Sequence, residues 1–269
     1  MADKHIVFIT GANTGIGYEA VKAFMRSPKP YHILVGSRTL GKSRNAIAAA
    51  TGEVTGSSST LEPVAVELAS DESIDEAFEA VKSKVDRIDT LINNAGAAYD
   101  SYDFSQDVPN IRSIFNKAYD VNVTGTHVLT AKFVPLLIKS SSPRLLFITS
   151  GLSNITAHSK AFQPAWAPKP RAGWPKEKLI VSLGYRSSKV ALNMVMVSWH
   201  WLLLEDGVKT FCISPGFLAT NLGGVSPEQL KAMGAGDPWI GGEIIRKVTE
   251  GERDADAGRV INQNGIQDW

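Results

Sequence analysis

The chain has 269 residues, 43% of them hydrophobic, which is enough to bury one large α/β core and too much for a disordered chain. Its 28 basic and 27 acidic side chains leave a formal charge of +1, so nothing global draws it to nucleic acid or to an anionic membrane, and any anion site must be local. One cysteine, Cys212, excludes an internal disulfide and a multi-cysteine zinc site and fits a reducing, cytoplasmic setting.

HIVFIT (5–10) is a β-branched run that predicts a first strand, and residues 14–25 predict a helix that Pro28 and Pro30 stop. HILVGS (32–37) reads as a second strand, 41–50 as a helix, and TGEVTGSSST (51–60) as a surface loop. PVAVEL (63–68) is a third strand. Residues 70–85 follow as a helix with Ile74, Phe78, Val81 and Val85 on one stripe, and Ser73 with Glu76 is expected to form a capping box.

TLIN (90–93) is a fourth strand, 111–117 and 121–138 are helices, and RLLFITS (144–150) is a fifth strand. Residues 155–183, rich in Pro and Trp and without a clear period, form an irregular insertion. A helix opens near Tyr185, and its apolar run 190–204, broken by Asn193, Ser198 and His200, is short of the roughly 20 residues that span a bilayer. VKTFCISP (208–215) and GRVIN (258–262) are the sixth and seventh strands. Strands separated by helix-length segments pair in parallel with right-handed crossovers. The prediction is a single doubly wound, Rossmann-like α/β domain over 1–269, with about seven parallel strands in the order 3-2-1-4-5-6-7.

TGANTGIG (10–17) follows the first strand and opens the first helix, so glycines 11, 15 and 17 let backbone N–H groups approach a pyrophosphate at the positive helix end. An NAD site places a carboxylate about 20 residues after such glycines, at the end of the second strand. Here stand Ser37 and Arg38. A guanidinium pairs with a 2′-phosphate that a carboxylate would repel, so the cofactor expected is NADP(H).

With NNAG (93–96) after the fourth strand, Asn122 in DVNVTGT, Ser150 in LFITSG, Tyr185 and Lys189 in YRSSK, and SPGFLAT (214–220), the chain resembles the short-chain dehydrogenase/reductase family over essentially its whole length. The resemblance implies reversible hydride transfer between a nicotinamide and an alcohol or carbonyl. It implies that Gly11, Asn13, Thr14, Gly15, Ile16 and Gly17 hold the pyrophosphate and that Glu67 and Leu68 hold adenine, with Glu67 replacing a more usual Asp. By the same resemblance Asn94, Ala95 and Gly96 line the cofactor, and Pro215, Gly216, Phe217, Leu218 and Thr220 reach its nicotinamide end. Asn122, on this reading, supports a water that passes protons to Lys189.

The chemistry of the residues agrees. Hydride addition to a ketone builds negative charge on oxygen, which must be stabilised and then protonated. A phenol, with pKa about 10, relays a proton at neutral pH only if a nearby cation favours its ionised form. Lys189, four residues after Tyr185, shares its helix face and can also reach a cofactor ribose, and Ser150 at a strand's carboxyl end can donate to the same oxygen.

The 155–183 insertion, carrying Phe162, Trp166 and Trp174, is similar to that of carbonyl-reductase-like members, in which such a segment can cover the surface other members use to associate. It would account for Met194, Val197 and Trp201 on the helix after Lys189, and the same pattern suits a subunit interface, so monomer and homodimer both stay open. Residues 217–239 mix Phe, Leu, Met and Trp with glycines and read as a lid over an apolar carbonyl substrate. Trp269 is expected against that lid. The five histidines show no metal-ligand spacing, so no metal is predicted. The leading reading is an NADPH-dependent reductase of hydrophobic or aromatic ketones and aldehydes. Alternatives are an alcohol dehydrogenase working oxidatively, a non-catalytic NADPH sensor, and a structural subunit.

Overall fold

In the computed structural model, which describes residues 4–100, 110–160, 171–176 and 182–269, the apolar runs of the sequence become strands. In chain order the elements begin with β1 (His5–Ile9), α1 (Gly15–Arg26), β2 (Tyr31–Ser37), α2 (Leu40–Glu53), β3 (Thr60–Ala65), α3 (Asp71–Lys82) and β4 (Thr90–Asn93). Next come α4 (Ile111–Tyr119), a π-helical turn (Asp120–Gly125), α5 (Thr126–Leu137), β5 (Arg144–Ile148), α6 (Ile155–Lys160), α7 (Leu183–Leu202) and β6 (Lys209–Ile213). The chain closes with α8 (Pro227–Ala232), α9 (Trp239–Thr249), β7 (Val260–Asn262) and β8 (Gly265–Gln267).

The strands form one sheet of order β3-β2-β1-β4-β5-β6-β7-β8. All neighbours are parallel except β7 and β8. Alternate strand residues face opposite sides, and both sides are apolar because both are covered. On one side Phe8, Leu34, Leu91, Leu145 and Phe147 pack against Ile74 and Val81 of α3, Leu129 and Phe133 of α5, and Leu192 and Met196 of α7. On the other, Val7, Ile9, Ile33, Val35, Ile92 and Leu146 meet Val21 and Phe24 of α1 and Ile244, Ile245 and Val248 of α9.

The doubly wound order is as the sequence predicts, with an added antiparallel edge strand. β7 and β8 have three residues each, joined through Gln263 and Asn264, too short for an alternation to register. Other boundaries move. β3 begins and ends about three residues before PVAVEL, and the expected capping box at Ser73 is replaced. Ser70 is the cap and accepts from the Ser73 amide at 3.1 Å, while the Ser73 hydroxyl accepts from the Glu67 amide at 3.0 Å. Ser73 therefore ties α3 to the segment after β3 instead of starting the helix.

The predicted helix 121–138 is divided, its first turn being π-helical. A methyl group at Gly125 would fall 1.9 Å from the Leu68 carbonyl oxygen, so only glycine allows this turn to lie on the backbone after β3. The widened turn is held by the helix behind it, where the Phe133 ring sits 5.0 Å from that of Phe8, each buried ring contributing about 2 kcal/mol. Gly125→Ala should therefore destabilise the fold by about 3 kcal/mol, the upper range of an overpacked core, readable as a shift of the urea midpoint. An unchanged midpoint would mean that the close approach carries no constraint.

Candidate active site

The sheet order reverses between β1 and β4, and ligands of open α/β sheets bind in the crevice beyond the strands' carboxyl ends at such a point. Here the glycine loop after β1 and the NNAG segment after β4 are built into each other. The Thr10 hydroxyl accepts from the amides of Asn94 and Ala95 at 3.1 and 3.0 Å, and Asn94 Nδ2 donates to the carbonyls of Thr10 and Gly11 at 2.8 and 3.1 Å. Gly11, with φ of 62°, could carry no side chain, since a methyl there would lie 2.8 Å from Ala95 Cα. At Gly17 a methyl would lie 2.4 Å from Asn94 Nδ2, so the loop and the asparagine define each other's position.

The end of α1 facing the crevice is left open to an anion. Thr14 is its N-cap and makes no side-chain cap bond, and no acidic residue lies in the first turn. The amides of Gly15, Ile16 and Gly17 thus keep the positive end of the helix free, with Asn13 in the turn before them. A methyl at Gly15 would touch Thr220 at 3.5 Å, so the segment of Pro215, Gly216, Phe217, Leu218 and Thr220 after β6 reaches over the loop. These residues fit a dinucleotide.

At the end of β2, Arg38 is exposed and makes no ion pair among the described residues. Ser37 is different. Its hydroxyl is 2.9 Å from the Thr39 carbonyl oxygen and 2.7 Å from the Ser43 hydroxyl, inside the β2–α2 junction, so its side chain shapes the turn that presents Arg38. Leu68 is buried and Glu67 half-buried, with the Glu67 carboxylate accepting from the Ala69 amide at 3.4 Å.

Ser150, Tyr185, Lys189 and Asn122 are brought together by β5, α7 and the π-turn. Ser150 caps a 3₁₀ turn, its hydroxyl accepting from the Leu152 amide at 3.1 Å. The Ser150 side chain favours the ionised form of the Tyr185 phenol. The Lys189 ammonium lies 5.7 Å from the centroid of the Tyr185 ring and donates to the Ile148 carbonyl at 2.8 Å. Asn122 is fully buried, its Oδ1 accepting from the Ala97 amide and its Nδ2 donating to the Ala97 carbonyl, both at 2.8 Å. Gly96 lets it meet Lys189, since a methyl there would lie 3.1 Å from Asn122 Oδ1 and 3.2 Å from Lys189 Nζ.

The electrostatics depart from the expectation that Lys189 lowers the phenol. Burial dominates both groups: it pushes the Tyr185 phenol up to about 12, and the Lys189 ammonium down to about 8. Beside that burial the Asp100 carboxylate raises the phenol further, and only Ser150 lowers it.

Other positioning groups escaped the sequence. Thr149 donates to Asn193 Oδ1 at 2.6 Å, Asn193 Nδ2 donates to Ser153 Oγ at 3.0 Å, and Ser153 Oγ donates to the Ser150 carbonyl at 2.6 Å. This chain pins the serine turn to α7. Asn193 extends the four-residue spacing of Tyr185 and Lys189 by one turn, a signal the sequence did offer.

The 217–239 segment is pinned at its base by the Ala219 amide on the Gly236 carbonyl and the Gly236 amide on the Phe217 carbonyl, both 2.9 Å. Within it Phe217, Leu222, Met233 and Trp239 are exposed, whereas Leu218 is buried. A methyl at Gly223 would touch Ala98, so the segment reaches the strand-β4 side of the crevice. The Trp269 carbonyl oxygen accepts from the Thr156 amide at 2.6 Å, on the insertion.

In that insertion residues 155–160 form α6, a helix the sequence did not signal, and Trp174 is exposed, while Phe162 and Trp166 lie outside the described residues. Met194 and Trp201 are 66% and 75% exposed, whereas Val197 packs partly on the core. Among the described residues no three His, Cys, Asp or Glu side chains converge as a metal site, and no helix is long and apolar enough to cross a membrane.

Residues 5–162 match the family model described as short chain dehydrogenase. The chain is 42% identical over 265 residues to the short-chain dehydrogenase/reductase tropE of Talaromyces stipitatus, covering 98% of this chain and 97% of that protein. It is also 42% identical over 275 residues to the short-chain dehydrogenase/reductase eupG of a Phoma species, covering 99% and 98%. Among solved structures, NADPH-bound carbonyl reductase from chicken fatty liver matches with a TM-score of 0.77 at 22% identity, over 99% of both chains. The carbonyl reductase Sniffer of D. melanogaster matches with a TM-score of 0.74 at 20% identity, covering 99% of this chain and 100% of that one. The chain belongs to the short-chain dehydrogenase/reductase family of oxidoreductases.

Proposed function

We propose that this oxidoreductase uses NADPH to reduce a hydrophobic or aromatic ketone or aldehyde, with Tyr185 donating the proton. The observation that carries this reading is the meeting of Ser150, Tyr185 and Lys189 at the carboxyl ends of β5 and α7's first turns, beside an open helix terminus suited to pyrophosphate. Bound NADPH would supply the hydride. Gly11 to Gly17 would bind its pyrophosphate, Arg38 its 2′-phosphate, and Glu67 and Leu68 its adenine, while Asn94 to Gly96 would line it. Pro215 to Thr220 would reach its nicotinamide end.

A protonated phenol suits the donor role in reduction. A group pushed up to about 12 is fully protonated at neutral pH and can give its proton to an alkoxide, a much stronger base. Ser150 holds the carbonyl oxygen, Asn122 supports a water that passes a proton to Lys189, and Lys189 returns it to the phenol between turnovers. A non-catalytic sensor would have no use for a Ser–Tyr–Lys set.

The exposed apolar side chains of 217–239 lie across the crevice and would be buried by an apolar substrate, which supports the lid within a single domain over 1–269. The wild-type enzyme should consume NADPH with aryl ketones, diketones or quinones and much less with small polar ketones. Equal rates across such a panel would remove the apolar substrate class. Monomer and homodimer remain the two assemblies compatible with the exposed Met194 and Trp201 face, and sedimentation giving a tetramer would contradict both.

A further inference from the structure

We propose that Asp100 is the positioning residue of the proton donor: its carboxylate caps α7 from outside the helix and holds Tyr185 in place. This rests on the reading of Tyr185 as donor. The helix begins at Leu183, so Tyr185 is its third residue, whose amide an N-cap side chain usually satisfies. Ser182, the N-cap and a residue type suited to the task, makes no such bond. Instead both Asp100 oxygens accept from the Tyr185 amide, at 3.2 and 3.1 Å, across 85 positions of sequence. Asp100 is 7% exposed, so the bond is shielded from water.

The carboxylate does two things at once. It fixes the first turn of α7 to the segment that follows the NNAG motif, so that the cofactor wall and the phenol move as one body. It also sits at the positive end of the helix, where a negative charge is stabilised, and from there disfavours the phenolate. Among the described residues few groups face Tyr185. The Ser150 hydroxyl approaches from the β5 end, Lys189 and Arg186 belong to α7 itself, and α4 contributes uncharged Phe115 and Ala118 beside Gly184. Cys212 of β6 stands behind Lys189 and is kept neutral by burial. Among the described residues Asp100 is thus the negative charge on the donor.

Asp100→Asn and Asp100→Ala separate the two roles, read with benzil as the probe diketone and by hydrogen exchange of the α7 amides. Asn keeps an acceptor for the amide, so exchange at 183–188 stays near wild type. Loss of the charge moves the alkaline limb of kcat/KM for reduction to lower pH by about one unit. Ala removes the acceptor, speeds exchange of these amides about tenfold and lowers kcat about tenfold. An unmoved limb in Asp100→Asn together with protected amides in Asp100→Ala would overturn the proposal. Exchange needs no turnover, so it decides the clamp even if Tyr185→Phe stays active and the donor reading falls.

Discussion

Tyr185→Phe should lower the rate of carbonyl reduction about a thousandfold while leaving NADPH affinity within about twofold, the pattern of a lost general acid. The phenyl ring keeps the packing of a residue that is only 8% exposed, so the fold and the first turn of α7 are retained. What disappears is the hydroxyl that Ser150 contacts and that Lys189 faces. Single-turnover kinetics with NADPH and an aryl ketone separates binding from chemistry. Near-normal turnover would transfer the donor role to another group or to water.

Arg38→Asp should weaken NADPH binding by about 10- to 100-fold, the loss of a charge-assisted phosphate contact of about 1.5–3 kcal/mol, and should strengthen NADH binding. The substitution places a carboxylate at the position from which other dinucleotide sites hold the ribose hydroxyls. Because Arg38 is exposed and without an ion pair among the described residues, its removal breaks no structural contact, and stability should stay unchanged. Fluorescence titration with both nucleotides checks this. Equal affinities of the wild-type protein for NADPH and NADH would end the preference, whatever the variant does.

Where the sequence was informative, the reason is physical. The strands that carry the site are buried on both faces, so their apolar runs are continuous and their carboxyl ends are marked by the small and polar residues of TGANTGIG, NNAG and ITS. Tyr185 and Lys189 share a helix face by period alone. What the sequence could not carry is what depends on distant partners. Asp100 meets the Tyr185 amide from 85 residues away, and Ser37 turns inward because Ser43 and the Thr39 carbonyl are there to receive it. The acidity of the site depends on packing for the same reason: spacing shows that a lysine is near a tyrosine, and only packing shows that both are desolvated. The short β8 and the π-turn at Asn122 depend on a hairpin register and on a glycine lying against Leu68.

Reduction by direct hydride transfer is open to one isotopic experiment. The wild-type protein is incubated with an aryl ketone and NADPH carrying deuterium on the reactive face of the nicotinamide, and the alcohol is analysed by mass and by chiral separation. One deuterium should appear at the carbinol carbon of a single enantiomer, with none incorporated from deuterated water at that carbon. Unlabelled or racemic alcohol, or no alcohol from any apolar carbonyl tried, would contradict an NADPH-dependent reductase built on Ser150, Tyr185 and Lys189.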